Sequence, residues 1–136
     1  MKLEIGFGSC PQTVELPDET VLDVLYPNGI EAPKDSAAEV ARALRDPIGT
    51  PPLAELAKGK QKVAIVTSDI TRPMPSAVVL PLVLDELYRA GVRPESITVV
   101  FALGSHRKQT EEEKMHLAGE EVYRQVNCVD SLDFDF

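Results

Sequence analysis

Two short stretches hold the groups most able to do chemistry. Residues 67 to 76 read TSDITRPMPS, and residues 102 to 107 read ALGSHR. The first offers a carboxylate at Asp69, a guanidinium at Arg72, and hydroxyls at Ser68, Thr71 and Ser76. A guanidinium presents a planar fork of donors that matches a carboxylate or phosphate. Pro73 and Pro75 fix their own φ and push the residue before each toward extended backbone, which limits where Arg72 can point. The second stretch offers His106, one of 2 histidines in the chain. Histidine can take or give a proton near neutral pH, and Gly104 before it permits close backbone approach. An anion-binding fork and an acid–base group together suit work on a small acid.

The elements that must position these groups come next. KVAIVTS and SITVVFALG are continuous apolar runs, which predicts two strands covered on both faces. Between them Leu80, Val83, Leu84 and Leu87 keep the i, i+3, i+4, i+7 spacing of one helix face. Ser76 is the expected cap of that helix and Gly91 its stop, while Pro81 is an awkward interior residue. Thr110 followed by Glu111, Glu112 and Glu113 predicts another helix with a capped, acidic first turn. QVNCV predicts a last short strand. Strand, helix, strand, helix, strand implies parallel pairing with right-handed crossovers. Ligands of such sheets bind beyond the carboxyl ends of the strands, so both stretches should face one crevice.

Upstream, Leu3, Ile5 and Phe7 alternate as in a half-buried strand, Gly8 to Pro11 reads as a turn, and Gln12 to Leu16 as the returning strand. Thr20 to Tyr26 is expected to add a further strand. Ser36 with Glu39 three residues on has capping-box spacing and should open a helix with Val40, Ala43 and Leu44 on one face. Pro51 and Pro52 precede a short helix, LAELAKG. The expected fold class is α/β: a three-layer, mainly parallel sheet with flanking helices over residues 31–136, and a small β-rich lobe over residues 1–30. The whole of 1–136 reads as a single domain. The final SLDFDF ends without a helix stop or polar tail, so the chain is expected to be a piece of a longer protein.

The balance of the 136 residues narrows the partners. The formal charge of −8 argues against nucleic acid and against anionic membranes, which both need a cationic surface. The longest apolar run, AVVLPLVL, is too short to span a bilayer, and the first ten residues lack the apolar core of a signal peptide. Cys10 and Cys128 form no metal or disulfide pattern and read as small core residues. A cytoplasmic, reducing location is expected.

Local alternatives stand beside the chemical reading. Asp69 and Arg72 could pair with each other and merely pin a loop. His106 could be an exposed loop residue capped by Glu111 or Glu112. Arg107 and Lys108 read as surface partners of the glutamates that follow, and His116 as structural or surface. A non-enzymatic small-anion-binding or regulatory module is also compatible with an acidic α/β domain, although the acidic pair of a phospho-acceptor domain is missing after the first strand.

SDITRPMPS and ALGSHRKQTEEE, with the lead-in DPIGTPPLAELAKGKQKVAIV, resemble the N-terminal domain of the nickel-dependent lactate racemase family from roughly Asp46 to Asp130, and more loosely before it. The resemblance implies an isomerase, a racemase or epimerase of 2-hydroxy acids, working in a cleft between two domains. It implies a nickel pincer cofactor derived from a pyridinium mononucleotide and tethered to a lysine, which takes a hydride from C2 of the acid and returns it. By the same resemblance, Arg72 would hold the substrate carboxylate. His106 would be one of two acid–base histidines, and Asp69 would organise the site. Ser68 and Thr71 would lie toward the cofactor. The tethering lysine, the nickel ligand and the second histidine fall outside this chain in the family's order, so the chain alone is expected to bind no nickel and to be inactive. A diverged member acting on sugar acids fits the same residues.

Overall fold

The computed structural model describes residues 1–133. The backbone clusters into two compact units, Met1–Ala32 and a second from Pro33 onward. In the first, β1 (Lys2–Phe7) and β2 (Cys10–Glu15) form an antiparallel hairpin in which Lys2 faces Glu15 and Phe7 faces Cys10. A short 3-10 turn follows over Asp18–Thr20. The expected strand from Thr20 to Tyr26 does not form: from Val21 on there is no regular structure until Ser36. Its apolar residues occur in adjacent pairs rather than in alternation, and Leu22, Leu25 and Tyr26 are exposed. Cys10 is also exposed rather than part of a core.

The second unit runs α1 (Ser36–Arg45), α2 (Leu53–Leu56), β3 (Val63–Ser68), α3 (Ser76–Arg89), β4 (Ile97–Ala102), α4 (Glu111–Ala118), α5 (Glu120–Gln125) and β5 (Asn127–Asp130). The three strands form one parallel sheet in the order β3-β4-β5, with Ser68 beside Ala102 and Phe101 beside Asp130. The α/β class, the parallel sheet with flanking helices and the separate small β element are as expected.

The core lies on one face of the sheet. Ile97, Val99 and Phe101 of β4 meet Leu80, Leu84 and Leu87 of α3, Leu117 and Ala118 of α4, and Val122 of α5. Helix α3 in turn packs against α1 and α2. Strand β4 is central and almost fully buried. Strand β3 is not covered on both faces as its apolar run suggested, because it lies at an edge: Ala64 is exposed and Val66 is 65% exposed. Cys128 packs partly buried against the core, and that burial raises its thiol to about 11.

The helix ends differ from expectation in instructive ways. Asp35, not Ser36, caps α1: its carboxylate accepts from the Ala38 N–H at 3.1 Å. Ser76 is the first residue of α3 rather than its cap, and it is buried with its hydroxyl 2.7 Å from that of Thr67. Thr110 does form a full capping box with Glu113. Pro81 sits inside α3 without ending it. Gly119 breaks the expected single helix into α4 and α5, at φ 82 and ψ 141. A Cβ there would lie 3.5 Å from that of Ala77. That is ordinary van der Waals contact, so it is the positive φ that favours glycine.

Candidate functional site

The loop after β3 is built by its prolines. The Met74 N–H returns to the Arg72 carbonyl across Pro73, and the Ser76 N–H returns to the Met74 carbonyl across Pro75, each at 2.8 Å. Bonds from residue i to i+2 are γ-turns, and Pro75 at φ −78 and ψ 55 has the inverse γ form. The fixed φ of proline suits that turn, so two tight corners follow Arg72 in succession. The buried Ser76 hydroxyl against Thr67 then ties the loop's exit to the end of β3. The loop after β4 begins with a turn in which the His106 N–H meets the Leu103 carbonyl at 3.0 Å, with Gly104 at φ 58 as its first central residue. A side chain at that φ would be strained, which accounts for glycine there.

The parallel register brings the two loops together. His106 Nδ1 lies 2.5 Å from Asp69 Oδ2. The other oxygen of Asp69 accepts from the Thr71 hydroxyl at 2.6 Å and the Thr71 N–H at 3.1 Å. Asp69 is 2% exposed. The Thr71 hydroxyl, then His106, hold its carboxyl down at about 2 against an ordinary 3.8, outweighing desolvation. An ionised carboxylate can only accept, so Nδ1 of His106 carries a proton, and in the neutral imidazole Nε2 is the nitrogen with the lone pair. That arrangement leaves Nε2 able to take a proton from a ligand, with Asp69 placed to stabilise the resulting imidazolium.

Ser68, Asp69, Arg72, Gly104, Ser105 and His106 all line one cavity of about 550 Å³ at the carboxyl end of the sheet. Asp69 pairs with His106 rather than with Arg72, so the expected alternative of a local Asp69–Arg72 clamp is not what forms. His106 is likewise held by Asp69, not by Glu111 or Glu112. Arg72 is exposed, and among the described residues its guanidinium enters no ion pair. Among those residues nothing competes with an anion for it. Thr71 does not line the cavity; its hydroxyl is spent on Asp69. Arg107 makes a two-pronged pair with Glu113 at 2.7 and 2.8 Å, Lys108 pairs with Asp133, and His116 is exposed on α4.

Sequence reasoning missed Gln109, Asp130 and Ser131. Gln109 and Asp130 are buried and hydrogen-bonded to each other, and the Ser131 hydroxyl accepts from the Leu103 N–H at 3.2 Å. The available signal was weak: an acidic residue closing a buried strand, and a glutamine just ahead of a helix cap. Among the described residues no group of three His, Cys, Asp or Glu side chains is gathered as a metal ion would require, and no helix is long and apolar enough to cross a membrane.

Known proteins share this arrangement of chain. A lactate racemase of Thermoanaerobacterium thermosaccharolyticum is 37% identical over 122 residues, which are 88% of this chain and 28% of that protein. A lactate racemase of Lactiplantibacillus plantarum is 37% identical over 97 residues, 71% of this chain and 22% of that protein. The chain thus spans less than a third of the length of these relatives. The structure of the lactate racemase apoprotein from T. thermosaccharolyticum superposes with a TM-score of 0.74 at 34% identity, covering 96% of this chain and 30% of that one. A family model described as the lactate racemase N-terminal domain matches residues 7–135. With residues 7–135 matched, nearly its whole length, the chain belongs to the lactate racemase N-terminal domain family.

Proposed function

We propose that this chain is the N-terminal domain of a longer racemase or epimerase of 2-hydroxy acids, and supplies one wall of its active site. The observation that carries the reading is the shared cavity. It holds an arginine that enters no ion pair among the described residues and, on the facing loop, a histidine whose Nδ1 proton is fixed by a buried aspartate. Arg72 would bind the substrate carboxylate through its fork of donors. His106 Nε2 would take the proton of the C2 hydroxyl and later return it. Asp69 would hold the imidazole in that tautomer and offset the charge it gains.

The family resemblance adds a nickel pincer cofactor. The donors in this cavity do not form a nickel site, and no metal step is assigned to them. What such a cofactor supplies when bound is a carbon that accepts the C2 hydride and returns it. Its tether and metal ligands would come from the rest of the protein, and Ser68, which lines this cavity, would face it. On this reading the isolated chain is inactive, and a cytoplasmic location follows from its acidic, reduced character.

The test is to produce the full-length protein together with the enzymes that make the cofactor. Interconversion of D- and L-forms is then assayed across lactate, longer 2-hydroxy acids and sugar acids, with bound nickel measured. Turnover of at least one acid with stoichiometric nickel is the expected result. Absence of both across the panel would overturn the proposal.

A further inference from the structure

The Asp69–His106 pair joins loops that leave different strands, and one side chain ties those loops together. Gln109 Oε1 accepts from the Ile70 N–H at 2.8 Å, one residue past Asp69. Its Nε2 donates to Asp130 Oδ1 at 3.0 Å, and its own backbone N–H donates to Asp130 Oδ2 at 2.9 Å. Gln109 is 8% exposed and Asp130 is 2% exposed. Ser131, next in sequence, takes the Leu103 N–H on its hydroxyl and gives its own N–H to the Phe101 carbonyl at 2.9 Å. The end of β5 thus anchors the His106 loop at both ends, at Leu103 and at Gln109. The Gln109 amide then reaches across to the Asp69 loop.

We propose that Gln109, oriented by Asp130, is a positioning residue that sets the Asp69–His106 pair and thereby the protonation of His106 on Nδ1. Only an amide can do both parts of this work. Its oxygen serves a backbone donor in one loop while its nitrogen serves a carboxyl in the other, and the two ends cannot be exchanged. The backbone N–H of Gln109 also binds Asp130, so the side chain leaves from a fixed point. Without the amide, the Ile70 N–H would lose its protein partner and one oxygen of the buried Asp130 would be left unpaired. The relief available is a shift of the Ile70 segment, which carries Asp69. A shift of a few tenths of an ångström would loosen a contact as short as the one between Asp69 and His106. The consequence for turnover rests on the functional reading above; the consequence for the imidazole does not.

The experiment compares wild type with Gln109→Leu and Asp130→Asn. Turnover is read in the full-length protein loaded with cofactor. The His106 tautomer is read from ¹⁵N imidazole shifts of the 136-residue chain. For Gln109→Leu we expect kcat lower by roughly 10- to 100-fold, the range for residues that orient an acting histidine, with a smaller change in KM. The Nδ1–H form should give way to a mixture of both tautomers. Asp130→Asn keeps the shape and one acceptor, and should move both readouts the same way by less. It carries the test if Gln109→Leu does not fold. A folded variant with wild-type kcat and an undisturbed Nδ1–H form would overturn the proposal. If instead the wild-type protein turns over no 2-hydroxy acid while the variants still mix the tautomers, the positioning role stands and the functional reading falls.

Discussion

Replacing Asp69 by asparagine isolates what its charge does. Asp69 now accepts three hydrogen bonds: two on Oδ1, from the Thr71 N–H and hydroxyl, and one on Oδ2, from His106 Nδ1. Asparagine has one oxygen. Set in the Oδ1 position, it keeps both Thr71 bonds and turns its NH₂ toward Nδ1. Two donors cannot face each other at 2.5 Å, so the imidazole must move its proton to Nε2 and accept at Nδ1. The nitrogen meant to receive the substrate's proton would then already carry one. In another enzyme the same aspartate-to-asparagine change lowers kcat by ~10⁴ through the wrong tautomer, and acid–base catalysis as a whole is worth ~10²–10⁴. The expected fall in kcat for Asp69→Asn is therefore roughly 10²- to 10⁴-fold. KM should change little, because Arg72 is untouched. So should melting, because two of the three bonds remain. The assay is steady-state interconversion of enantiomers by the full-length protein, beside the imidazole ¹⁵N shifts of His106. A variant that keeps more than about a tenth of wild-type kcat, with its proton still on Nδ1, would refute the reasoning.

Three further outcomes are expected. Arg72→Lys should weaken substrate binding by roughly 10- to 100-fold, because a point charge replaces a bidentate fork; KM and competition by a 2-keto acid measure it, and an unchanged KM would count against a carboxylate role. Asp69 and Glu113 both lie near 2 in the folded chain, below their ordinary 3.8 and 4.5, so the folded form binds fewer protons than the unfolded one between those values. Their stabilisation should be complete above about pH 5 and fade as pH falls toward 2, so the urea midpoint should drop over that interval, and Glu113→Gln should shrink the drop. Gly119→Ala forces a side chain onto φ 82 and should cost about 1–3 kcal/mol in urea unfolding, with the start of α5 affected.

Much of the layout was legible because it depends on local pattern. The apolar runs before Ser68 and Ala102, the helix face at Leu80, Leu84 and Leu87, and the Thr110 cap are all written within a few residues of where they act. That Asp69, Arg72 and His106 would share one crevice followed from strand ends alone. Their pairing did not. Asp69 sits three residues from Arg72 in sequence, yet its carboxylate goes to His106, 37 residues away, because the strand register and the Gln109 link decide the approach. Asp35 outcompeted Ser36 as a cap by one residue, a choice between two good acceptors that spacing cannot make. The VLDVLY segment had strand composition but not strand alternation, and composition misled. Asp130 and Gln109 matter only through each other, so neither draws notice alone.

The pair of proline corners after Arg72 has a consequence for recognition that contact geometry does not express. A loop that must be ordered by its ligand takes the lost backbone freedom out of the affinity, at ~1–2 kcal/mol per residue fixed. Here part of that freedom is absent from the start, since the rings at Pro73 and Pro75 restrict the chain even when it is unfolded. On the proposed reading, an acid arriving at Arg72 would have only the arginine's own side chain to still. Opening either ring would remove no bond to a ligand, yet it should weaken binding while leaving every contact in the cavity in place.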